Sequence, residues 1–206
     1  MITALHGFLG QPSDWDFLRE DFDVRALKLG EPIGSGDTLL GYSLGGRLAL
    51  HALLGGTDFK RAVIVSAGLG IEGDEARATR RASDEAWARR FESETWEDVV
   101  RDWNAQPLFA GRDLPRDEAD FDRHALAAAL GDWSPAVLPS IASRLHELRL
   151  PMLFVAGELD AKYVAEARHA AELVSGAELW VAPGAAHRVP WDAPQAFIER
   201  LHAFID

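Results

Sequence analysis

Thr38-Leu39-Leu40-Gly41-Tyr42-Ser43-Leu44-Gly45-Gly46-Arg47-Leu48-Ala49-Leu50-His51-Ala52-Leu53-Leu54 is the stretch whose reading decides the fold. An apolar run enters a G-x-S-x-G turn and a helical pattern leaves it. Strand, sharp turn and helix together are the context of a nucleophile elbow. Glycines flank the serine where side chains would collide, and the hydroxyl of Ser43 is lifted out of the sheet. The following backbone N–H, that of Leu44, points to where an oxyanion would form. The plainer alternative is a glycine-rich turn between a strand and a helix.

Outward from the elbow, six β-rich runs are visible: Ile2–Leu5, Val24–Leu29, Thr38–Tyr42, Ala62–Ser66, Met152–Ala156 and Glu178–Val181. Most are continuously apolar, as strands buried on both faces of a parallel sheet are. Helical patterns at Ser13–Glu20, Arg47–Leu54, Ala161–Val174 and Pro194–Ile205 lie between them. Alternating strand and helix predicts an α/β fold with a mostly parallel six-stranded sheet. Residues 72–148 break the alternation. This charged stretch reads as four helical segments, Asp74–Phe91, Thr95–Asn104, Asp117–Leu130 and Ser134–Leu148, inserted as a cap into a core of residues 1–71 and 149–206. Its tryptophans Trp87, Trp96, Trp103 and Trp133 read first as glue between thin helices.

A serine nucleophile needs a base, and the base an orienting acid. Asp160 follows the fifth strand and His187 the sixth, both in loops at carboxyl ends of strands, where open α/β sheets place their sites. The order Ser43, Asp160, His187 is the order that goes with a G-x-S-x-G elbow. Glu158 competes with Asp160 for the acid. His51, His124, His146, His169 and His202 sit within helical patterns and read as surface or half-buried helix residues. His6 opens His6-Gly7-Phe8-Leu9-Gly10, a turn that offers a second oxyanion N–H, that of Phe8.

Composition narrows the class. The 206 residues suffice for one α/β domain with an insertion. The net charge of −12 argues against nucleic-acid and anionic-membrane partners. No apolar run is long enough to span a membrane, and the N-terminal residues do not read as a signal peptide. Cysteine is absent, which fits a cytoplasmic location. No metal site and no cofactor are expected: thiols and helical i, i+4 histidine pairs are lacking, as are the glycine-rich nucleotide loops.

With these motifs in place, the chain resembles the α/β-hydrolase superfamily over its whole length. More narrowly it is similar to the 2-succinyl-6-hydroxy-2,4-cyclohexadiene-1-carboxylate synthase family of menaquinone biosynthesis. The residues are Leu5-His6-Gly7-Phe8-Leu9-Gly10 with Trp15, the elbow with Arg47, and Arg80-Arg81-Ala82-Ser83-Asp84 with Trp87 and Phe91. Trp103-Asn104-Ala105-Gln106-Pro107-Leu108-Phe109, Gly157-Glu158-Leu159-Asp160-Ala161-Lys162-Tyr163 and Gly184-Ala185-Ala186-His187 complete them. The resemblance implies that Ser43, activated by His187 and Asp160, starts a proton abstraction that eliminates pyruvate from a small-molecule substrate with several carboxylates. Arg47, Arg80 and, less securely aligned, Arg123 would hold the carboxylates, and Tyr42 and Trp103 would line the pocket. A guanidinium fork suits a carboxylate bidentately. The other reading of Arg80 and Arg123 is a solvated helix face. The same triad also serves a small carboxylesterase or C–C-bond hydrolase working through an acyl-enzyme. A non-catalytic binding module is the third reading, although such modules normally lose a triad member.

Two departures from the family bear on the fold. The chain starts almost at the H-G-x-x-G strand, so the two strands that precede it in the family are expected to be missing. Only eight residues, Gly30 to Asp37, join the second and third strands, so a crossover helix is expected to be missing too. Travelling ~17 Å along and ~10 Å across takes ~20 Å, within the ~26 Å reach of eight extended residues. One sheet face should then lie under-covered near the first strand, to be closed by a neighbouring helix or, as the favoured expectation, by a second copy in a homodimer.

Overall fold

The computed structural model describes residues 1–206. The chain forms two compact units, a core of Met1–Leu69 with Ile141–Asp206 and a cap of Gly70–Ser140. The core is built on one parallel sheet in the order β2-β1-β3-β4-β5-β6. Its strands are β1 (Ile2–Leu5), β2 (Val24–Leu27), β3 (Gly36–Tyr42), β4 (Phe59–Val65), β5 (Met152–Gly157) and β6 (Glu178–Ala182). This is the α/β-hydrolase fold.

Both sheet faces are buried, which is why the strands read as unbroken apolar runs. Leu5, Leu39, Ile64 and Phe154 point to one face, beneath α1 (Leu44–Leu54) and α5 (Ala161–Leu173), which contribute Leu50, Leu53, Ala167 and Ala170. Ile2, Leu40, Val63 and Val155 point to the other, where α6 (Val189–Asp192) contributes Val189 and α7 (Pro194–Ile205) inserts Phe197 and Leu201. Burying each such side chain contributes ~1.5–3 kcal/mol before entropy is charged. A proline at the first position and a glycine after the last start α7 and end α1.

The segment expected as a helix over Ser13–Glu20 is a 3-10 helix, Pro12–Leu18. Trp15 and Leu18, both fully buried, are three residues apart. Three residues per turn align such a pair on one side of the helix.

The link between β2 and β3 carries no helix, as its length requires. It does not leave a bare face, however. Ile33 packs against the cluster that holds Leu5, Leu27 and Leu39, and the Arg25 guanidinium donates to the carbonyls of Pro32 and Ile33 at 3.5 and 3.4 Å. Leu5 and Leu27 are 2% and 3% exposed, and the large exposed apolar side chains are Met1, Val137 and Leu159. The link covers this part of the face itself.

The cap holds α2 (Asp74–Ser93), α3 (Trp96–Asn104) and α4 (Arg123–Asp132), with short 3-10 turns at Pro107–Phe109 and Glu118–Asp120. In α3 the residues Trp96, Val99, Val100 and Asn104 are buried, the spacing of one helix face. The structure corrects two expectations in this region. The helix expected over Ser134–Leu148 does not form; Pro139 interrupts it, and the chain coils again only as a 3-10 helix, Ala142–Glu147. The cap also ends at Ser140 rather than at residue 148, because Ile141, Leu145 and Leu148 are buried in the core's own cluster. At the boundary Ile141 N–H donates to the Leu69 carbonyl at 2.8 Å, joining the two core strands of chain between which the cap is inserted.

Candidate active site

The elbow is strained and held. Ser43 has φ 53° and ψ −112°, a region that costs a non-glycine residue on the order of 1–3 kcal/mol. Two backbone bonds fix it: Ser43 N–H donates to the Val65 carbonyl at 2.8 Å, and its own carbonyl accepts the Arg47 N–H at 3.0 Å. The flanking glycines permit the close approach. A Cβ on Gly41 would lie 2.6 Å from the Gly46 Cα, and one on Gly45 would lie 2.6 Å from the Leu5 carbonyl oxygen.

Leu5 pairs with Gly41 across β1 and β3, so Phe8 and Leu44 lie equally far beyond one rung of the sheet. Leu44 opens α1, and its N–H belongs to the first turn, whose donors have no partner within the helix. In the loop carrying Phe8, His6 is buried and donates through Nδ1 to the Gly7 carbonyl at 2.8 Å. His6 thus organises the turn that presents Phe8.

The other two residues of the expected trio come to Ser43 from adjacent strands. His187 Nε2 is 3.0 Å from Ser43 Oγ, and its Nδ1 is 2.6 Å from Asp160 Oδ2. Asp160 caps α5, its Oδ1 accepting the Tyr163 N–H at 3.4 Å. The loop of His187 is pressed against β5 at Gly157, where a Cβ would lie 2.5 Å from the Ala185 carbonyl oxygen. Glu158, the competing acid, is exposed and accepts the Gly184 N–H at 2.8 Å, so it clasps that loop instead.

Burial lowers the His187 pKa most; Asp160 works against this, and the charges of Arg188 and Lys162 reinforce it. The ring is therefore neutral near pH 7. With Nδ1–H given to Asp160, the Nε2 lone pair is left to accept the Ser43 hydroxyl proton.

Two rings enclose this imidazole. Tyr163 meets it edge-on at 4.4 Å and Tyr42 lies 5.5 Å away, itself backed by Trp191 at 4.9 Å. Sequence reasoning did not single out Tyr163 or Trp191 as site residues. The signal for Tyr163 was its place three residues after a capping aspartate, which brings it back over the first turn of α5. The remaining helical histidines stand apart from the trio; His202, for instance, pairs with Asp21 and Asp206 on the surface. No group of three or more His, Asp or Glu side chains is arranged to hold a metal ion.

The arginines differ in what they are already doing. Arg47, in the first turn of α1, is 8% exposed, an unusual burial for a guanidinium. In the cap, Arg80 donates only through Nε, to both oxygens of Asp84 at 2.9 Å. Arg123 is spent on structure. Its Nε donates to the Phe91 carbonyl, its Nη2 to the Glu94 carbonyl, and its Nη1 to Glu118 at 3.0 Å. With all three nitrogens engaged inside the cap, Arg123 ties α4 to the end of α2. Trp103 stacks edge-on with Trp87 at 5.0 Å and Phe91 at 5.8 Å within the cap.

The alpha/beta hydrolase family matches residues 4–200. The 2-succinyl-6-hydroxy-2,4-cyclohexadiene-1-carboxylate synthase of Salmonella agona is 30% identical over 97% of this chain and 91% of its own length. The synthase of the same name from Citrobacter koseri is 33% identical over 79% of this chain and 78% of its length. Among solved structures, MenH from S. aureus superposes with a TM-score of 0.88 at 24% identity, covering 99% of this chain and 92% of that one. The chain belongs to the alpha/beta hydrolase family and, within it, to the enzymes of the 2-succinyl-6-hydroxy-2,4-cyclohexadiene-1-carboxylate synthase type.

Proposed function

We propose that this chain is a pyruvate-eliminating synthase of menaquinone biosynthesis, acting in the cytoplasm on a small substrate with several carboxylates. The observation that carries the reading is the continuous hydrogen-bonded path from Ser43 Oγ through His187 to Asp160, at 3.0 and 2.6 Å, in a member of that enzyme family. Ser43 Oγ removes a proton from a substrate carbon as its own hydroxyl proton passes to His187 Nε2. Asp160 stabilises the imidazolium that results. The electron pair left on carbon forms a new C=C bond and expels pyruvate as its enolate, and the proton on His187 passes to that enolate, which leaves Ser43 as the hydroxyl and His187 neutral again. The backbone N–H groups of Phe8 and Leu44 receive the negative charge that develops on oxygen. Arg47 and Arg80 bind carboxylates, with Tyr42 and Trp103 lining the pocket. The chemistry uses side chains and backbone alone.

The same trio would also serve an acyl-enzyme hydrolase, so the substrate has to decide. The purified protein should be given the synthase's own substrate beside a panel of neutral short-chain esters. Pyruvate release, followed with a coupled dehydrogenase, should exceed ester turnover in kcat/KM by orders of magnitude. Efficient ester cleavage with no pyruvate would replace this reading by the hydrolase.

A further inference from the structure

Asp84 is the one charged side chain of the cap that is buried, at 5% exposed, on a helix that otherwise buries only Phe91. A carboxylate taken from water on so charged and solvated a helix is costly unless it is fully paired. It is paired by two groups. Arg80 Nε reaches both its oxygens at 2.9 Å, and Ser134 Oγ donates to Oδ2 at 2.5 Å. Ser134 is buried too, and its Oγ accepts the Ala136 N–H at 2.9 Å, so the hydroxyl proton has one direction left, toward Asp84.

The way Arg80 is held matters more than the fact that it is held. Other paired arginines of the chain engage an outer nitrogen as well as Nε: Arg90 meets Glu94 through Nε and Nη2 and Asp102 through Nη2, and Arg144 meets Glu147 through Nε and Nη2. Arg80 uses only Nε, and no hydrogen bond of its Nη1 or Nη2 is formed within the protein. A guanidinium gripped at its inner nitrogen has its plane and direction fixed while its outer fork, four N–H donors, stays available for a planar anion. Its side chain is 35% exposed, so the fork is reachable. Arg123, in the same cap, has every nitrogen occupied.

We infer that Asp84, itself anchored by Ser134, is a positioning residue that aims the fork of Arg80 at a substrate carboxylate. The inference rests on the proposed function for the identity of that carboxylate. Fixing the fork in advance removes rotamer entropy that a free arginine would lose on binding.

The test is a double-mutant cycle on Arg80 and Asp84, read in two ways: KM and kcat for the synthase substrate, and the calorimetric Kd of a simple tricarboxylate such as tricarballylate. Arg80→Ala and Asp84→Ala should each raise KM and Kd about tenfold, with kcat changed by less than about threefold, and the double variant should be no worse than either. Losses that multiply to about a hundredfold would overturn the inference, as would an Asp84→Ala protein that binds as the wild type does while Arg80→Ala does not. If Asp84→Ala fails to fold, Asp84→Asn, which keeps an acceptor and the shape, should still raise Kd about threefold. A wild-type Kd in that variant overturns the inference equally. Wild-type protein that binds tricarballylate through Arg80 and Asp84 but releases no pyruvate sustains the inference and sinks the synthase. Protein that binds no tricarboxylate sinks both.

Discussion

α1 and α2 carry the two halves of the candidate machinery by opposite means. α1 buries seven of its eleven residues, among them Gly45, Gly46 and Arg47. α2 buries two of its twenty, Asp84 and Phe91. In the core, position is set by backbone pressed against backbone, and Ser43 stays in its strained turn because nothing around it can yield. In the cap, position is set by ion pairs on a solvated surface, such as Arg90 with Glu94 at 2.8 Å and with Asp102 at 2.5 Å. A packed core fixes a site at a cost already met by folding, while a charged cap fixes its side chains one contact at a time.

The sharpest way to break this contrast is Ser43→Ala. Alanine takes the same backbone angles, so the melting temperature should stay close to the wild type's while turnover falls by a factor of thousands or more. Turnover near the wild-type level would remove the trio from the mechanism.

A smaller effect should appear in the pH dependence. The folded protein holds the His187 proton less tightly than the unfolded chain does, because burial disfavours the cation. Above the ordinary histidine range of about 6.5 both states are neutral and this group contributes no pH dependence. As the pH falls below that range the unfolded chain takes up the proton first, so stability declines until the lowered native pKa is passed. Activity, which needs the neutral ring, should keep its acid limb below about pH 6.5 in kcat/KM profiles. A limb at or above that value would mean that Asp160 outweighs burial.

The smallest effect is expected in the cap. The Arg90–Glu94 pair is solvent-exposed, and such pairs contribute little. Glu94→Gln should shift the melting temperature by no more than ~2 °C, with the difference shrinking in ~1 M salt. A shift several times larger would show the cap to be as tightly determined as the core.

The same contrast governs what could be read from the sequence. β1 and α7 have the bounds that their patterns implied, and the trio could be found from motif order, since apolar runs and glycine turns are local signals of buried structure. The cap offered fewer. Its helices α2 and α3 were legible from length and caps, but residues 134–148 were not, because an alternation of prolines and leucines fits a helix face as well as it fits a turn followed by a core-bound 3-10 segment. Ile141, Leu145 and Leu148 look alike whichever unit they enter, and only tertiary packing assigns them. Arg123 stood at a carboxylate-binding position by resemblance, and nothing local revealed that the Phe91 and Glu94 carbonyls would claim it. The contribution of the link to covering the sheet was equally hidden, since it comes through Ile33, in a segment too short to show a period.

The hydrogen bond from Ile141 to Leu69 makes the core and the cap separable in evolution as well as in space. It closes the whole excursion from Gly70 to Ser140 at its neck, and both of its partners belong to the core. Closing a longer loop costs only about 0.6 kcal/mol per doubling of its length, so a neck already clasped makes the core nearly indifferent to the size of what hangs from it. A lineage built this way can rewrite the inserted segment by insertion, deletion or exchange without renegotiating the sheet.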